Sequence, residues 1–140
     1  MTVIVNDLDE LRARTGEHLG YSAWLEVTQE RVNTFADATD DHQWIHVDVE
    51  RAATGPFGGP IAHGFLTLSL LIPLWTELLE LRGIGMAVNY GLNKVRFPAP
   101  VPAGSKVRAS AEVTDIDDLG GGWYQVVTRF TLEIEGNEKP

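Results

Sequence analysis

The sequence predicts an α+β fold in which one curved antiparallel sheet wraps around a single buried helix. Residues 65–75 are apolar except at Thr67 and Ser69, so a helix formed by them is expected to be buried on all sides. Long segments of alternating apolar and polar residues follow this helix along the chain. Strands grouped after the helices, instead of alternating with them, favour an antiparallel sheet.

Short elements are expected in the first sixty residues. Acidic residues gather in the first turn of a helix over 7–12, and residues 21–27 alternate as a strand. Thr28 can cap the next helix. Residues 39–45 break both periodicities and predict a loop, after which Asp48 can cap a single turn.

The central helix is expected to run from Phe65 to Leu81. Gly64 stands at its start, where a helix has free N–H groups and a partial positive charge. Pro73 lies inside the pattern and is expected to kink or divide the helix. The apolar run is about half of the ~20 residues needed to cross a bilayer, so we expect no membrane span.

Three strands are expected after the helix. Residues 88–97 predict the first, with a bulge near Asn93 because the apolar face changes phase there. Residues 107–113 and 124–134 alternate, and the glycine-rich segment 117–122 joins them as a hairpin. This is the hot-dog arrangement. Because its outer strands leave unpaired edges, we expect a second subunit to cover them and form a homodimer.

Composition predicts one domain covering residues 1–140 and limits its function. An apolar content of 44% and a charged content of 22% are typical of globular proteins. The chain has no cysteine, which excludes disulfides and a thiol nucleophile. No basic segment followed by an apolar one opens the chain, so we expect no signal peptide and a cytoplasmic location. A net charge of −9 argues against a nucleic-acid partner.

Residues 39–48 concentrate the groups that can carry chemistry: three acids, two histidines and an amide. Loops held by a rigid scaffold are where catalytic groups collect. Asp41 and His46 are too far apart in sequence for one helical face, but a turning loop can bring them together. A carboxylate and an imidazole that face one water molecule can act as complementary base and acid.

Simpler interpretations of these residues remain open. An Asp/His pair in a polar loop also fits ordinary surface hydrogen bonding. His42 and His46, with a nearby aspartate, have a spacing that suits a metal on a helix, but the segment looks irregular and no third-ligand cluster supports it. We therefore expect no metal. His63 and Gly64, taken singly, fit a structural histidine and a helix-start glycine.

Taken together, segment 35–48 and the run Gly-Pro-Ile-Ala-His-Gly at 59–64 resemble the MaoC-like (R)-specific enoyl-CoA hydratases, which have a hot-dog fold. That family has the pattern Gly-Asp-x-Asn-Pro-(Leu/Ile)-His, followed by a loop that ends in Ala/Val-His-Gly. Residues 95–104 resemble a later strand and loop of the family. The Gln-Trp-Ile-His variant at 43–46 resembles the nodulation-protein-N-like subgroup.

The sequence departs from the family pattern at three positions of the loop. Asp40 stands where the family usually has glycine, and Gln43 and Trp44 replace the commoner Asn and Pro. Similar proteins also continue into another strand after the position of Pro140. We therefore expect the last strand of the fold to lie outside this sequence.

The resemblance implies that Asp41 and His46 hold a water molecule that adds to C3 of a trans-2-enoyl-CoA, giving a (3R)-hydroxyacyl-CoA. Coenzyme A is then part of the substrate, and no separate cofactor is expected. The N–H of Gly64 would receive the enolate charge on the thioester oxygen. Gln43 and His63 are further expected members of this oxyanion and substrate-binding region.

The remaining expectations concern the rest of the substrate and the rival functions. Lys94 and Arg96, both in a predicted strand, are our choices for contacts with the phosphates of coenzyme A. Three rival functions stay open: a hot-dog acyl-CoA thioesterase, a dehydratase that acts on a carrier protein, and a non-catalytic acyl-CoA-binding protein.

Overall fold

The computed structural model describes residues 2–137, which form two compact units. The first unit contains residues 2–23, 72–95 and 109–132, and the second contains residues 24–71, 96–108 and 133–137. The prediction of one domain over residues 1–140 stays a prediction.

The first unit begins with two short elements. Strand β1 (Val3–Val5) pairs in parallel with β3 (Leu79–Leu81), and the sequence predicted neither strand. Helix α1 (Leu8–Ala13) confirms the predicted N-terminal helix, and the side chain of Asp7 caps it by accepting from the N–H of Glu10 at 2.8 Å. Six buried apolar side chains form the core of this unit: Val5, Leu11, Leu19, Leu79, Val113 and Ile116.

The predicted central helix is divided into α5 (Gly64–Ser69) and α6 (Leu71–Leu78). Pro73 has no N–H to bond the carbonyl of Ser69 four residues earlier, which fits a break at this point. The extension of the helix to Leu81 is wrong, because residues 79–81 pair with β1 instead.

The helical segment is also less buried than its composition predicted. Phe65 is 70% exposed and Ile72 is 48% exposed, so burial on all sides is wrong for this chain. The buried side chains recur at every fourth position: Leu66, Leu70, Leu74 and Leu78.

The second unit carries three helices before residue 64. Helix α2 (Gln29–Thr39) begins as predicted at Thr28, whose hydroxyl oxygen accepts from the N–H of Arg31 at 3.1 Å. Helix α3 (Trp44–Val47) shortens the predicted loop. Helix α4 (Val49–Ala53) confirms the predicted turn, and the Asp48 side chain caps it.

The sheet consists of β2 (Leu25–Glu26), β4 (Lys106–Gly120) and β5 (Trp123–Ile134), in the order β2-β4-β5. Leu25 pairs with Val107 in antiparallel register, so the predicted strand over 21–27 is shorter than expected. The predicted hairpin between β4 and β5 is confirmed. Its turn uses Gly121 and Gly122 with φ of 65° and 84°, a conformation that side chains disfavour.

Residues 82–101 contain neither helix nor strand, so the predicted strand over 88–97 and its bulge near Asn93 are wrong for the isolated chain. Its first half carries a large apolar side chain at every second position, and all five are exposed: Ile84, Met86, Val88, Tyr90 and Leu92. A strand needs a neighbouring strand for its backbone groups, and within residues 2–137 no strand pairs with residues 84–100. Among the described helices, none has both the length and the apolar character of a membrane span.

Candidate active site

The loop between α2 and α3 is shaped by a reversal at Asp40. This residue ends α2 in the left-handed conformation, with φ of 60°. Glycine adopts that conformation without strain, and aspartate is among the few other residues that tolerate it. The structure thus gives a physical reason for the glycine that the family pattern has here. After the reversal, a carboxylate oxygen of Asp41 accepts from the N–H of Gln43 at 3.4 Å.

His46 lies in α3 and is only 6% exposed. Its Nδ1 lies 2.7 Å from the carbonyl oxygen of Ile61. Because a carbonyl can only accept, Nδ1 carries the proton, and in the neutral ring Nε2 keeps its lone pair. The backbone carbonyl of His46 accepts from the side-chain amide of Gln29 at 2.8 Å, which ties α3 to α2.

His63 is 3% exposed and contacts both predicted catalytic residues. Its Nε2–H donates to the backbone carbonyl of Asp41 at 2.9 Å. Its ring stacks on His46, with centroids 3.8 Å apart and planes 25° apart, and it also packs against Phe35. Its buried Nδ1 has no hydrogen-bond partner among the described residues.

Asp41, His46 and His63 therefore converge. One carboxylate oxygen of Asp41 and one ring nitrogen from each histidine lie within 4.8 Å of one another. Asp41 is exposed, so solvent reaches the cluster from its side. A carboxylate and the lone pair of His46 Nε2 are two hydrogen-bond acceptors, and a single water molecule has two hydrogens to offer them. The cluster is thus able to hold and orient a water molecule.

The same three residues are poorly arranged for a metal ion. A histidine binds zinc through a lone pair in the plane of its ring, at about 2.0–2.1 Å. The rings of His46 and His63 are stacked at 3.8 Å with planes only 25° apart, so their lone pairs lie in two nearly parallel planes. An ion in the plane of one ring therefore lies outside the plane of the other, which is poor geometry for binding through both lone pairs.

Gly64 begins α5 directly after His63, and as a first helical residue its N–H has no acceptor within the helix. A β-carbon at this position would lie 3.1 Å from the ring of Phe97, closer than such contacts normally are. Glycine therefore lets the aromatic ring lie against the start of the helix.

The structure does not gather every predicted residue at the cluster. His42 bonds Asp37 at 2.9 Å, so the pairing of His42 with His46 as metal ligands does not form. Gln43 is exposed at the start of α3. Lys94 and Arg96 are exposed in the irregular segment and not in a strand, and their contact with phosphates stays a prediction.

Sequence reasoning missed Gln29 and the carbonyl of Ile61, which together fix the position and tautomer of His46. Gln29 directly follows the Thr28 cap of α2, and its sequence position indicates only a solvent-exposed polar residue. A backbone carbonyl has no sequence signal at all, so nothing in the sequence could have identified the partner of His46 Nδ1.

The antiparallel hairpin, the helix that begins at Gly64 and the nearby Asp/His cluster fit the hot-dog arrangement that the sequence predicts. The chain belongs to the family described as MaoC like domain, whose model matches residues 10–133. The predicted family and hot-dog fold are confirmed.

Two curated relatives support this assignment. The 3-hydroxyacyl-thioester dehydratase Z of Mycobacterium tuberculosis (strain ATCC 25618 / H37Rv) is 57% identical over 131 residues, which cover 94% of this chain and 87% of the relative. Nodulation protein N of Rhizobium leguminosarum bv. viciae is 44% identical over 135 residues, with coverages of 95% and 84%. The latter confirms the predicted subgroup.

Two solved structures resemble the chain. The Monoamine oxidase regulatory protein from Archaeoglobus fulgius has a TM-score of 0.78 and 28% identity, and the match covers 96% of this chain and 88% of that one. The (R)-hydratase from A. caviae involved in PHA biosynthesis has a TM-score of 0.54 and 26% identity, with coverages of 84% and 93%. The named dehydratases and hydratases support an enzyme of that class.

Proposed function

We propose that this protein catalyses the reversible, (R)-specific hydration of a trans-2-enoyl-CoA to a (3R)-3-hydroxyacyl-CoA. The proposal rests on one observation: the Asp41 carboxylate lies close to the imidazole of His46. Asp41 is exposed to solvent, whereas His46 is buried. The names of the relatives and of the (R)-hydratase support the reaction class and its stereochemistry.

In the proposed reaction, a water molecule donates its two hydrogens to Asp41 and to Nε2 of His46. This leaves an oxygen lone pair free to attack C3 of the substrate. As the O–C3 bond forms, the Asp41/His46 pair takes one proton from the water, and the electrons of the C2=C3 bond move towards the thioester oxygen to give an enolate. The pair then returns a proton to C2, which re-forms the thioester carbonyl and completes the addition of water. Because the two groups form a coupled pair, the acid and base roles belong to the pair.

The developing charge on the thioester oxygen needs a donor, and we propose the N–H of Gly64 for this role. Removing one such donor typically costs about 3 kcal/mol of transition-state stabilisation, or about 10²-fold in rate. In the same proposal, exposed Lys94 and Arg96 contact the phosphates of coenzyme A, so their replacement by Gln raises KM and leaves kcat unchanged.

The decisive experiment is crotonyl-CoA hydration by the wild type, Asp41→Asn and His46→Gln. Loss of general acid–base catalysis is expected to lower kcat by about 10²–10⁴-fold in each variant. Asp40→Asn and His42→Gln are matched controls, since they make the same chemical changes at neighbouring positions and His42 is bonded to Asp37 instead. Both controls are expected to keep wild-type activity. Full activity in Asp41→Asn and His46→Gln would overturn the site assignment.

Two further readouts separate the hydratase from two of its rivals, the thioesterase and the non-catalytic binding protein. A thioesterase releases the free thiol of coenzyme A, whereas a hydratase does not. A non-catalytic binding protein binds crotonyl-CoA without ever consuming it.

We also propose that the protein forms a homodimer through residues 84–92. This stretch has apolar side chains at alternate positions and a backbone without a ladder partner in the described chain, which is the pattern of a strand that another chain completes. A second copy of the same chain is the proposed partner.

A further inference from the structure

We infer that His63 is a positioning residue for the proposed hydration, through the hydrogen bond that its Nε2–H donates to the backbone carbonyl of Asp41. The inference rests on the proposed function. It assigns His63 a role without substrate contact, which fits an exposed fraction of only 3%.

The hydrogen bond acts on the backbone of Asp41 and therefore on the direction of its carboxylate. The bond is 2.9 Å long and joins residues 22 positions apart. Asp41 directly follows the left-handed Asp40, and its carboxylate accepts one long hydrogen bond within residues 2–137, from the N–H of Gln43 at 3.4 Å. The contact with His63 is thus a tertiary restraint on the residue that carries the carboxylate.

The ring of His63 is itself held in one orientation. It stacks on His46 at 3.8 Å and lies against Phe35 at 4.8 Å. With the ring held between these neighbours, its Nε2–H is aimed at the carbonyl of Asp41. One side chain thereby sets the separation of Asp41 and His46, the two groups proposed to share the water molecule.

Stability alone does not explain a histidine here. Its Nδ1 is buried without a hydrogen-bond partner among the described residues, and an unsatisfied buried polar atom is destabilising. An apolar ring would fill the same space without that penalty. What the apolar ring lacks is the donor to Asp41, so the donor is the property for which the imidazole is needed.

The experiment compares three variants that differ in where they place a donor. In His63→Gln the side-chain amide reaches the position of Nε2, and in His63→Asn it reaches only that of Nδ1. His63→Phe keeps a stacked ring and has no donor. Crotonyl-CoA hydration gives kcat and KM for each, and thermal unfolding gives Tm.

We expect kcat to fall about 10²-fold in His63→Asn and His63→Phe, the size of effect that a displacement of about 1 Å has on a catalytic group. In His63→Gln the donor is kept, so Asp41 should be displaced by less, and kcat is expected to stay within about 10-fold of wild type. KM should change little in all three, and the Tm of His63→Phe should not fall. The inference is wrong if His63→Gln is as slow as His63→Asn, if His63→Phe matches wild type, or if kcat simply follows Tm.

A second measurement separates this inference from the proposed function. ¹⁵N NMR of the free protein reports the backbone amide of His42, which shares its peptide group with the Asp41 carbonyl, without any substrate. We expect that signal to be preserved in His63→Gln and shifted in His63→Phe. An inactive wild type with this NMR pattern would reject the hydratase proposal and keep the hydrogen-bond role of His63. An unchanged signal in His63→Phe would reject the role itself.

Discussion

Residues 39–48 and residues 84–92 are both short connecting stretches, yet their backbones are in opposite situations. In the first, an aspartate reverses the chain, α3 starts at Trp44, and Asp48 caps the next helix. In the second, five apolar side chains face outward and the described chain offers no strand beside it. The first stretch is held by hydrogen bonds within its own unit, whereas residues 84–92 make no such bond to any other part of residues 2–137.

The difference shows what each conformation requires. Helix caps and tight turns satisfy their polar groups with neighbours a few residues away, so a single chain can complete them. A strand satisfies its groups only beside another strand. A single chain can therefore form the site loop. Under our homodimer proposal, residues 84–92 become a strand only when they pair with a second copy of the chain.

The largest change that we expect here is in the dissociation constant of the proposed homodimer. Tyr90 is 87% exposed, and Tyr90→Asp would place a charge in the proposed interface. Burying an unpaired charge is costly, so we expect the dimer dissociation constant to rise by at least about 10²-fold. Analytical ultracentrifugation over a concentration series measures the change.

Asn89→Asp is the matched control, since it adds the same side chain one position away on the alternate face. It should leave the dimer intact. A wild type that sediments as a monomer at every concentration would reject the proposed interface, and equal weakening by both variants would show that its strand-like alternation is wrong.

How far the sequence predicts each region follows from the same physics. The loop and its Asp48 cap were predictable because the residues that shape them are neighbours in sequence, and the approach of Asp41 to His46 was predictable because both belong to that loop. The hairpin was predictable from alternation and its glycines. The parallel pair of β1 and β3 was not, since three-residue strands far apart in sequence carry too little pattern to be recognised.

The errors in the helix have a related cause. Apolar content predicted burial of the whole circumference, but Phe65 and Ile72 are exposed in the isolated chain. The apolar composition of a helix predicts that its surface is suited to burial. It does not predict whether the same chain or another molecule covers that surface. The contacts of His46 with Gln29 and Ile61 escaped prediction because one partner is a backbone carbonyl and the other looks like a solvated amide.

The next effect concerns the bond between α2 and α3. Gln29→Met keeps the length of the side chain and removes the donor to the His46 carbonyl. Leaving that carbonyl unsatisfied costs about 1–2 kcal/mol of unfolding free energy. Methionine also removes the buried Oε1 of Gln29, which has no hydrogen-bond partner among the described residues, so we expect a net loss in the lower half of that range. Hydration should fall too, since α3 carries His46. Urea denaturation and crotonyl-CoA kinetics measure the two effects.

Asn33→Ala is the control for Gln29, because it removes only the exposed bond between the two side chains. Its effect on stability should stay within about 0.5 kcal/mol. A Gln29→Met variant that is as stable and as active as Asn33→Ala would show that the bond to α3 contributes nothing.

A smaller effect is expected at the cap of α4. Asp48→Ala removes the side-chain acceptor of the Arg51 N–H, and the loss of such a cap costs about 1 kcal/mol. Glu50→Ala, in the first turn of the same helix, removes a carboxylate that makes no capping bond and should cost less. If thermal unfolding ranks Glu50→Ala as the more damaging variant, helix charge outweighs capping in this loop.

The smallest effect is a gain, and it comes from Asp40→Gly. The left-handed conformation costs an ordinary residue about 1–2 kcal/mol and aspartate less, whereas glycine adopts it freely. Against this, glycine makes the unfolded chain more flexible, which costs about 0.4–1 kcal/mol. The two terms nearly offset, so we expect a net stabilisation of about 0.5 kcal/mol with unchanged hydration. Asp40→Ala keeps the strain and loses the polar side chain, so it should be less stable than wild type in the same denaturation experiment. If Asp40→Gly is the less stable of the two variants, the aspartate contributes to the loop something other than tolerance of its backbone angles.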